Sequence, residues 1–190
     1  MLDAAGAAAG FDVARMLSYE IHGGRVSSSA VREALAAGDM ERAAVLLGRP
    51  YSLSGHVVHG KKLGRSLGFK TLNLRFSHPG PAALGIFVVQ VHGLADEPLD
   101  GVASLGRRPT VDDSGRVLLE THCLDWPVGL AGGEAYGKIV RVELLHKLRD
   151  EARFDSLEAL TAAIRKDADD ARAFLAAHAA QRRQTTRDRI

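Results

Sequence analysis

Between residues 51 and 148 the chain holds six short runs that read as β-strands, and nothing between them has the length and period of a helix. The runs are 53–58, 71–76, 86–92, 101–105, 117–124 and 138–148. Clusters such as His78-Pro-Gly-Pro81 and Asp112-Asp-Ser-Gly115 separate them. Parallel strands need crossovers of a dozen or more residues, usually helical. Without such crossovers the sheet must be antiparallel, and six short strands favour a closed barrel or a sandwich.

Helices flank this zone. Leu157, Leu160, Ile164, Ala168, Ala171 and Leu175 recur at steps of three and four, an apolar stripe that faces a core. Asp155-Ser-Leu-Glu158 reads as a capping box with Asp155 in the cap position. The stripe dissolves after about His178, so residues 179–190 are expected to form a basic, disordered tail. Ahead of the strands, segments 30–37 and 40–47 form a helical hairpin, with cap candidates at Ser27 to Ser29 and Asp39 and stops at Gly38 and Gly48. Val31, Leu35, Ala43, Leu46 and Leu47 give that hairpin an apolar seam too small to fold alone. Residues 16–21 have strand-like alternation, and the small residues before Phe11 are expected to have little structure of their own.

Composition narrows the function. At 190 residues, 46% hydrophobic and 25% charged, the chain can build one core without a disulfide or structural metal. The net charge of +2 is misleading, because the last ten residues carry four Arg and one Asp, leaving the rest at −1. Aromatic residues are only 5%. A nucleic-acid partner is therefore not expected. The single Cys123 excludes an internal disulfide and fits a reducing cytoplasm. With no apolar run near 18 residues and no basic, apolar leader, neither a membrane span nor a signal peptide is expected. Oligomeric state stays open.

Chemistry concentrates in three places. Residues 55–68 hold four glycines, with Lys61, Lys62 and Arg65. Gly55, Gly60 and Lys61 almost spell a P-loop. However, Lys62 stands where Ser or Thr is required, and Gly64 and Gly68 would break the helix a P-loop opens. What remains is a Gly-rich inter-strand loop, either a solvated hairpin or one whose N–H groups approach an anion. Next come Thr71 and Asn73, which share one face of an extended segment and offer hard, neutral oxygens. Third, Glu120 and His122 share a face of the 117–124 run, with Leu119, Thr121 and Cys123 on the other. Glu120 is either a catalytic base or an exposed barrel residue. His56, His59, His92, His122 and His146 lack zinc-site spacing. Trp126 and Cys123 read as packing residues.

Together these pieces resemble the riboflavin kinase family. Leu67-Gly68-Phe69-Lys70-Thr71-Leu72-Asn73 is similar to its G-[FI]-P-T-A-N signature, and Leu119-Glu120-Thr121-His122 to the strand carrying its catalytic Glu. Gly85-Ile86-Phe87, Gly101-Val-Ala-Ser-Leu-Gly106 with Arg108-Pro109-Thr110, and Leu148-Arg149-Asp150-Glu151 followed by Phe154-Asp155-Ser156-Leu157 extend the likeness. Two positions depart from the family: Lys70 replaces Pro, freeing φ and restoring an N–H, and Ser104 stands where many members have Asn.

The resemblance implies a six-stranded antiparallel β-barrel with a C-terminal α-helix, here with an N-terminal helical hairpin. It implies transfer of the ATP γ-phosphate to the 5′-hydroxyl of riboflavin, with Mg²⁺ accompanying ATP and FMN as product. Gly60, Lys62, Gly64 and Arg65 would cradle the phosphates, Thr71 and Asn73 would hold Mg²⁺, and Glu120 would accept the hydroxyl proton. Arg149 and Phe154 would meet the flavin. Arg25-Val26-Ser27-Ser28-Ser29-Ala30-Val31-Arg32 and Leu47-Gly48-Arg49-Pro50-Tyr51 resemble the domain junction of bacterial bifunctional riboflavin kinase/FMN adenylyltransferases. The adenylyltransferase H-x-G-H motif is absent from the chain. The expected division is a remnant or linker over 1–50, a kinase barrel and helix over 51–178, and the tail. Competing readings are a non-catalytic flavin- or nucleotide-binding barrel, or part of a bifunctional FAD synthetase.

Overall fold

The computed structural model describes residues 2–12, 14, 19–21, 24–60, 68–75, 80–107, 117–126 and 134–187. In chain order they form α1 (Leu2–Ala9), β1 (Glu20–Ile21), β2 (Gly24–Arg25), α2 (Ser28–Ala37), α3 (Met40–Leu47), β3 (Tyr51–Val58), β4 (Thr71–Arg75), β5 (Gly85–His92), β6 (Leu99–Arg107), β7 (Val117–Cys123), β8 (Ile139–Arg149) and α4 (Leu157–Arg187). Strands β3 to β8 close into an antiparallel barrel in the order β3-β4-β7-β6-β5-β8. Closure pairs every strand on both sides and leaves no edge to template aggregation.

Period-two alternation fills the interior. Leu53 and Val57, Leu72 and Leu74, Phe87 and Val89, Ala103 and Leu105, Leu119 and Cys123, and Val140, Val142 and Leu144 all point inward and are buried. Burial pushes the Cys123 thiol up to about 12, which fits a packing residue and not a reactive one.

The hairpin leans on the barrel. Ser27 accepts from the Ala30 N–H at 3.2 Å and Asp39 from the Arg42 N–H at 2.9 Å, while Gly38 and Gly48 end α2 and α3 in the left-handed region. Ala34, Leu35, Met40 and Ala43 join the barrel's own core, with α3 packed on β8 and β3.

Three expectations are corrected. The segment before Phe11 contains helix α1, because it is rich in Ala, the strongest helix former. Residues 179–187 continue helix α4 to Arg187, since the stretch holds no Gly or Pro and is mostly Ala, Gln and Arg, while residues 188–190 of the expected tail lie outside the described residues. The helix is capped one residue later than the sequence suggests, by Ser156 Oγ accepting from the Ala159 N–H at 3.1 Å. Leu157 is accordingly 55% exposed, and the covered stripe starts at Leu160.

On the outer wall Ile86 and Val88 are buried although they alternate with inward Phe87 and Val89, because α4 packs over β5, β6 and β8. The small residues Ala168 and Ala171, both buried, let the helix approach the strands closely. None of the described helices is long and apolar enough to cross a membrane.

Inside the barrel, the Thr121 hydroxyl is fully buried without a hydrogen-bond partner among the described residues. Thr121→Val keeps the shape and removes this unpaired group, so it should stabilise the fold by about 1 kcal/mol. Thermal denaturation checks this, and a lowered Tm would contradict it.

Candidate functional site

One row of cross-strand partners crosses five strands on the barrel's outer wall. Arg149 lies opposite Ile86, Ile86 opposite Ser104, Ser104 opposite Glu120, and Glu120 opposite Asn73. The neighbouring row brings Thr71 opposite His122 and His122 opposite Val102. The expected faces are therefore correct: Leu72 and Leu74 fill the core while Thr71 and Asn73 face out, and Glu120 and His122 share the outer face.

The end of the first row depends on a bulge. Phe87 pairs with Lys147 but Ile86 with Arg149, so Leu148 is the extra residue of β8. The bulge sets Arg149, in place of Leu148, opposite outward-facing Ile86.

Between this wall and α4 lies a cavity of about 260 Å³. Four residues proposed from sequence line it: Thr71, Glu120, Arg149 and Phe154. Asn73 is not among its lining residues. It is buried beside it, and its side chain lies so close to Gly60 that a Cβ there would collide with the amide. Lys62, Gly64 and Arg65 lie outside the described residues, as do Lys61 and Arg108-Pro109-Thr110. Ile86, Val102, Leu160 and Ile164 supply the cavity's apolar surface.

Sequence reasoning missed Asp167. It is 5% exposed and lines the cavity from α4. Arg149 Nε donates to Asp167 Oδ1 at 2.8 Å and Nη2 to Oδ2 at 2.7 Å, a bidentate pair. Arg149 Nη1 donates to the Asp150 carbonyl at 3.0 Å, and the guanidinium carbon lies 5.7 Å from the Phe154 ring centroid. The hydrogen bonds to Asp167 raise the Arg149 guanidinium above its ordinary pKa. A signal existed: Asp167 falls three residues after Ile164 and four before Ala171, on the stripe where an unpaired acid would be costly.

Both departures from the family pattern have local partners. The Lys70 carbonyl can only accept, so the 2.9 Å contact with His122 Nδ1 makes that nitrogen the donor. This bond restrains the residue before Thr71, where Pro would have fixed φ. The His122 ring also meets Phe69 edge-on at 5.3 Å, and the Lys70 ammonium sits 5.9 Å from the Trp126 ring centroid. Ser104 donates to Glu151 Oε1 at 3.2 Å, tying the segment after β8 back to β6. A Cβ on Gly106 would run into the same carboxylate. Lys147 and Asp150 pair at 2.6 Å beside it, and the hydrogen bond from Lys147 holds the Asp150 carboxyl below its usual pKa.

The outer wall thus brings together a carboxylate, two neutral oxygen donors and a guanidinium beside an apolar surface. The family profile described as riboflavin kinase (flavokinase) matches residues 47–175. The bifunctional riboflavin kinase/FMN adenylyltransferase of Haemophilus influenzae is 41% identical over 174 residues, covering 92% of this chain and 54% of that protein. Its Escherichia coli K12 counterpart is 42% identical with the same coverage. The chain therefore spans about half the length of the curated relatives it matches. A solved Streptococcus pneumoniae protein described as a macrolide-efflux protein aligns with TM-score 0.69 and 30% identity, covering 82% of this chain and 49% of that one.

The packing of Asn73 against Gly60 makes a direct prediction. Gly60→Ala should displace the Asn73 amide while leaving the inward-facing Leu72 and Leu74 in place. Nuclear magnetic resonance of the side-chain amide reads this, and an unmoved Asn73 resonance would refute the contact.

Proposed function

The chain belongs to the riboflavin kinase family, and from that premise we propose that it transfers the γ-phosphate of ATP to the 5′-hydroxyl of riboflavin, giving FMN and ADP. The observation that carries the proposal is Glu120 on the cavity wall between Ser104 and Asn73, with Thr71 lining the same cavity.

The mechanism follows from that placement. Riboflavin lies along the wall with its ring system toward Arg149, Phe154 and the apolar surface, and its 5′-hydroxyl at Glu120. No carboxylate is a strong enough base to remove an alcohol proton outright. In a loose phosphoryl-transfer transition state the proton moves late, so Glu120 acts mainly by orienting the hydroxyl and receiving its proton as the O–P bond forms.

Thr71 and Asn73 fit a divalent ion delivered with a nucleotide. Both are neutral oxygen donors on one face of β4, too few to form a protein cage. Mg²⁺ bound there with ATP would neutralise charge on the phosphates. Asn73 is held for that task by its packing under Gly60. The loop from Gly60 through Lys62, Gly64 and Arg65 is the proposed phosphate cradle, with N–H groups and cations as its donors.

We further propose that residues 1–50 correspond to the junction of the bifunctional relatives. The 174-residue alignment is longer than everything from residue 47 onward, so it reaches into that region. A cytoplasmic site of action is proposed with it. The efflux description of one similar structure is not adopted, because among the described residues the inward-facing side chains of all six strands pack into one hydrophobic core.

Incubation with riboflavin, ATP and Mg²⁺ followed by chromatography tests the reading. FMN is the expected product. No product would favour a binding barrel, and FAD would add adenylyl transfer. Glu120→Gln should lower kcat by roughly 10²–10⁴ with ATP binding little changed. Near-normal turnover would remove Glu120 from this role.

A further inference from the structure

Asp167 is the one charged side chain among the buried polar residues described, and nothing in phosphoryl transfer requires it. We propose that Asp167 is a positioning residue for the flavin, fixing Arg149 so that the substrate's ring system meets an oriented and charge-compensated guanidinium. This rests on the reading of Arg149 as a flavin contact.

Three features of the geometry support it. First, strands are roughly 4.8 Å apart, and Arg149 is three strands from Glu120 along the row, so about 14 Å separates them along the wall. Arg149 is thus remote from the phosphoryl group and belongs to the other end of the substrate. Second, the riboflavin ring system is uncharged, flat and edged by carbonyl oxygens. A free guanidinium in an apolar cavity would instead select for anions, ATP among them. Asp167 cancels that charge. Of the five Arg N–H groups, three are engaged by Asp167 and the Asp150 carbonyl, leaving, among the described residues, two for neutral acceptors. Third, the pair is bidentate and spans two elements, β8 and α4, with Phe154 beside the guanidinium. Desolvating two charges offsets much of their attraction, so such a pair adds little net stability. Its main effect here is orientation, which makes α4 part of the substrate site as well as a cover for the wall.

The test measures riboflavin binding through flavin fluorescence, with ATP binding followed separately. Arg149→Ala should weaken riboflavin binding on the order of tenfold, as loss of a charge-assisted contact would. Asp167→Asn should weaken it by a similar factor, raising riboflavin KM more than it lowers kcat and, with the guanidinium uncompensated, letting ATP compete for the flavin end of the cavity. In the double variant the second change should add nothing, because Asp167 acts through Arg149. Asp167→Glu, which keeps the charge but displaces it, should fall between wild type and Asp167→Asn and serves if the latter folds poorly. Unchanged binding in Arg149→Ala would defeat the underlying flavin reading. Weakened binding there with none in Asp167→Asn or Asp167→Glu would overturn the positioning role alone. A full additional loss in the double variant would show Asp167 acting on the fold and would also overturn it.

Discussion

Everything in this molecule depends on the alternation of side chains in a closed antiparallel ladder. A closed barrel must fill its interior, and it does so with every second residue of six strands. The intervening residues are released from that duty. Leu72 and Leu74 pack the core, which frees Thr71 and Asn73. Leu119 and Cys123 do the same for Glu120 and His122. A polar site can therefore be written directly onto the strands without weakening the core between them. Strand-borne side chains are also held more rigidly than loop-borne ones, which suits a reaction governed by orientation.

Helix α4 partly covers that outer wall and turns it into a cleft. Ile86 and Val88 would be exposed apolar surface without it. Ala168 and Ala171 bring the helix close, whereas near Leu160 and Ile164 a gap remains, and that gap is the cavity. Asp167 lies at its margin and meets Arg149 from the strand side. Hydrophobic contact positions the helix, and Asp167 on it meets the Arg149 guanidinium in a bidentate pair.

The two departures from the family pattern illustrate how context restores what a single residue loses. Lys70 lacks the fixed φ of Pro, but its carbonyl is bound by His122 from the adjacent strand. Ser104 is shorter than Asn, yet it reaches Glu151 on the segment that borders the cavity. Neither partner is near in sequence: 52 residues separate Lys70 from His122 and 47 separate Ser104 from Glu151. Reading along the chain reveals the substitution and hides the compensation.

By itself the sequence determined the six strands, their two faces and the hairpin with cap candidates at Ser27 to Ser29 and Asp39, because local periodicity and capping chemistry are encoded by nearby residues. The same alternation put Thr71 with Asn73 and Glu120 with His122 on shared faces, whereas Arg149 and Phe154 were singled out only by the resemblance to a family. Only the tertiary structure decided that Glu120 stands opposite Asn73 and Ser104, that the bulge at Leu148 sets Arg149 opposite Ile86, and that Asp167 holds it there. Strand register, bulges and helix docking are set by packing between distant segments. A period of two says which face a residue occupies, but not which neighbour it will find across the strand.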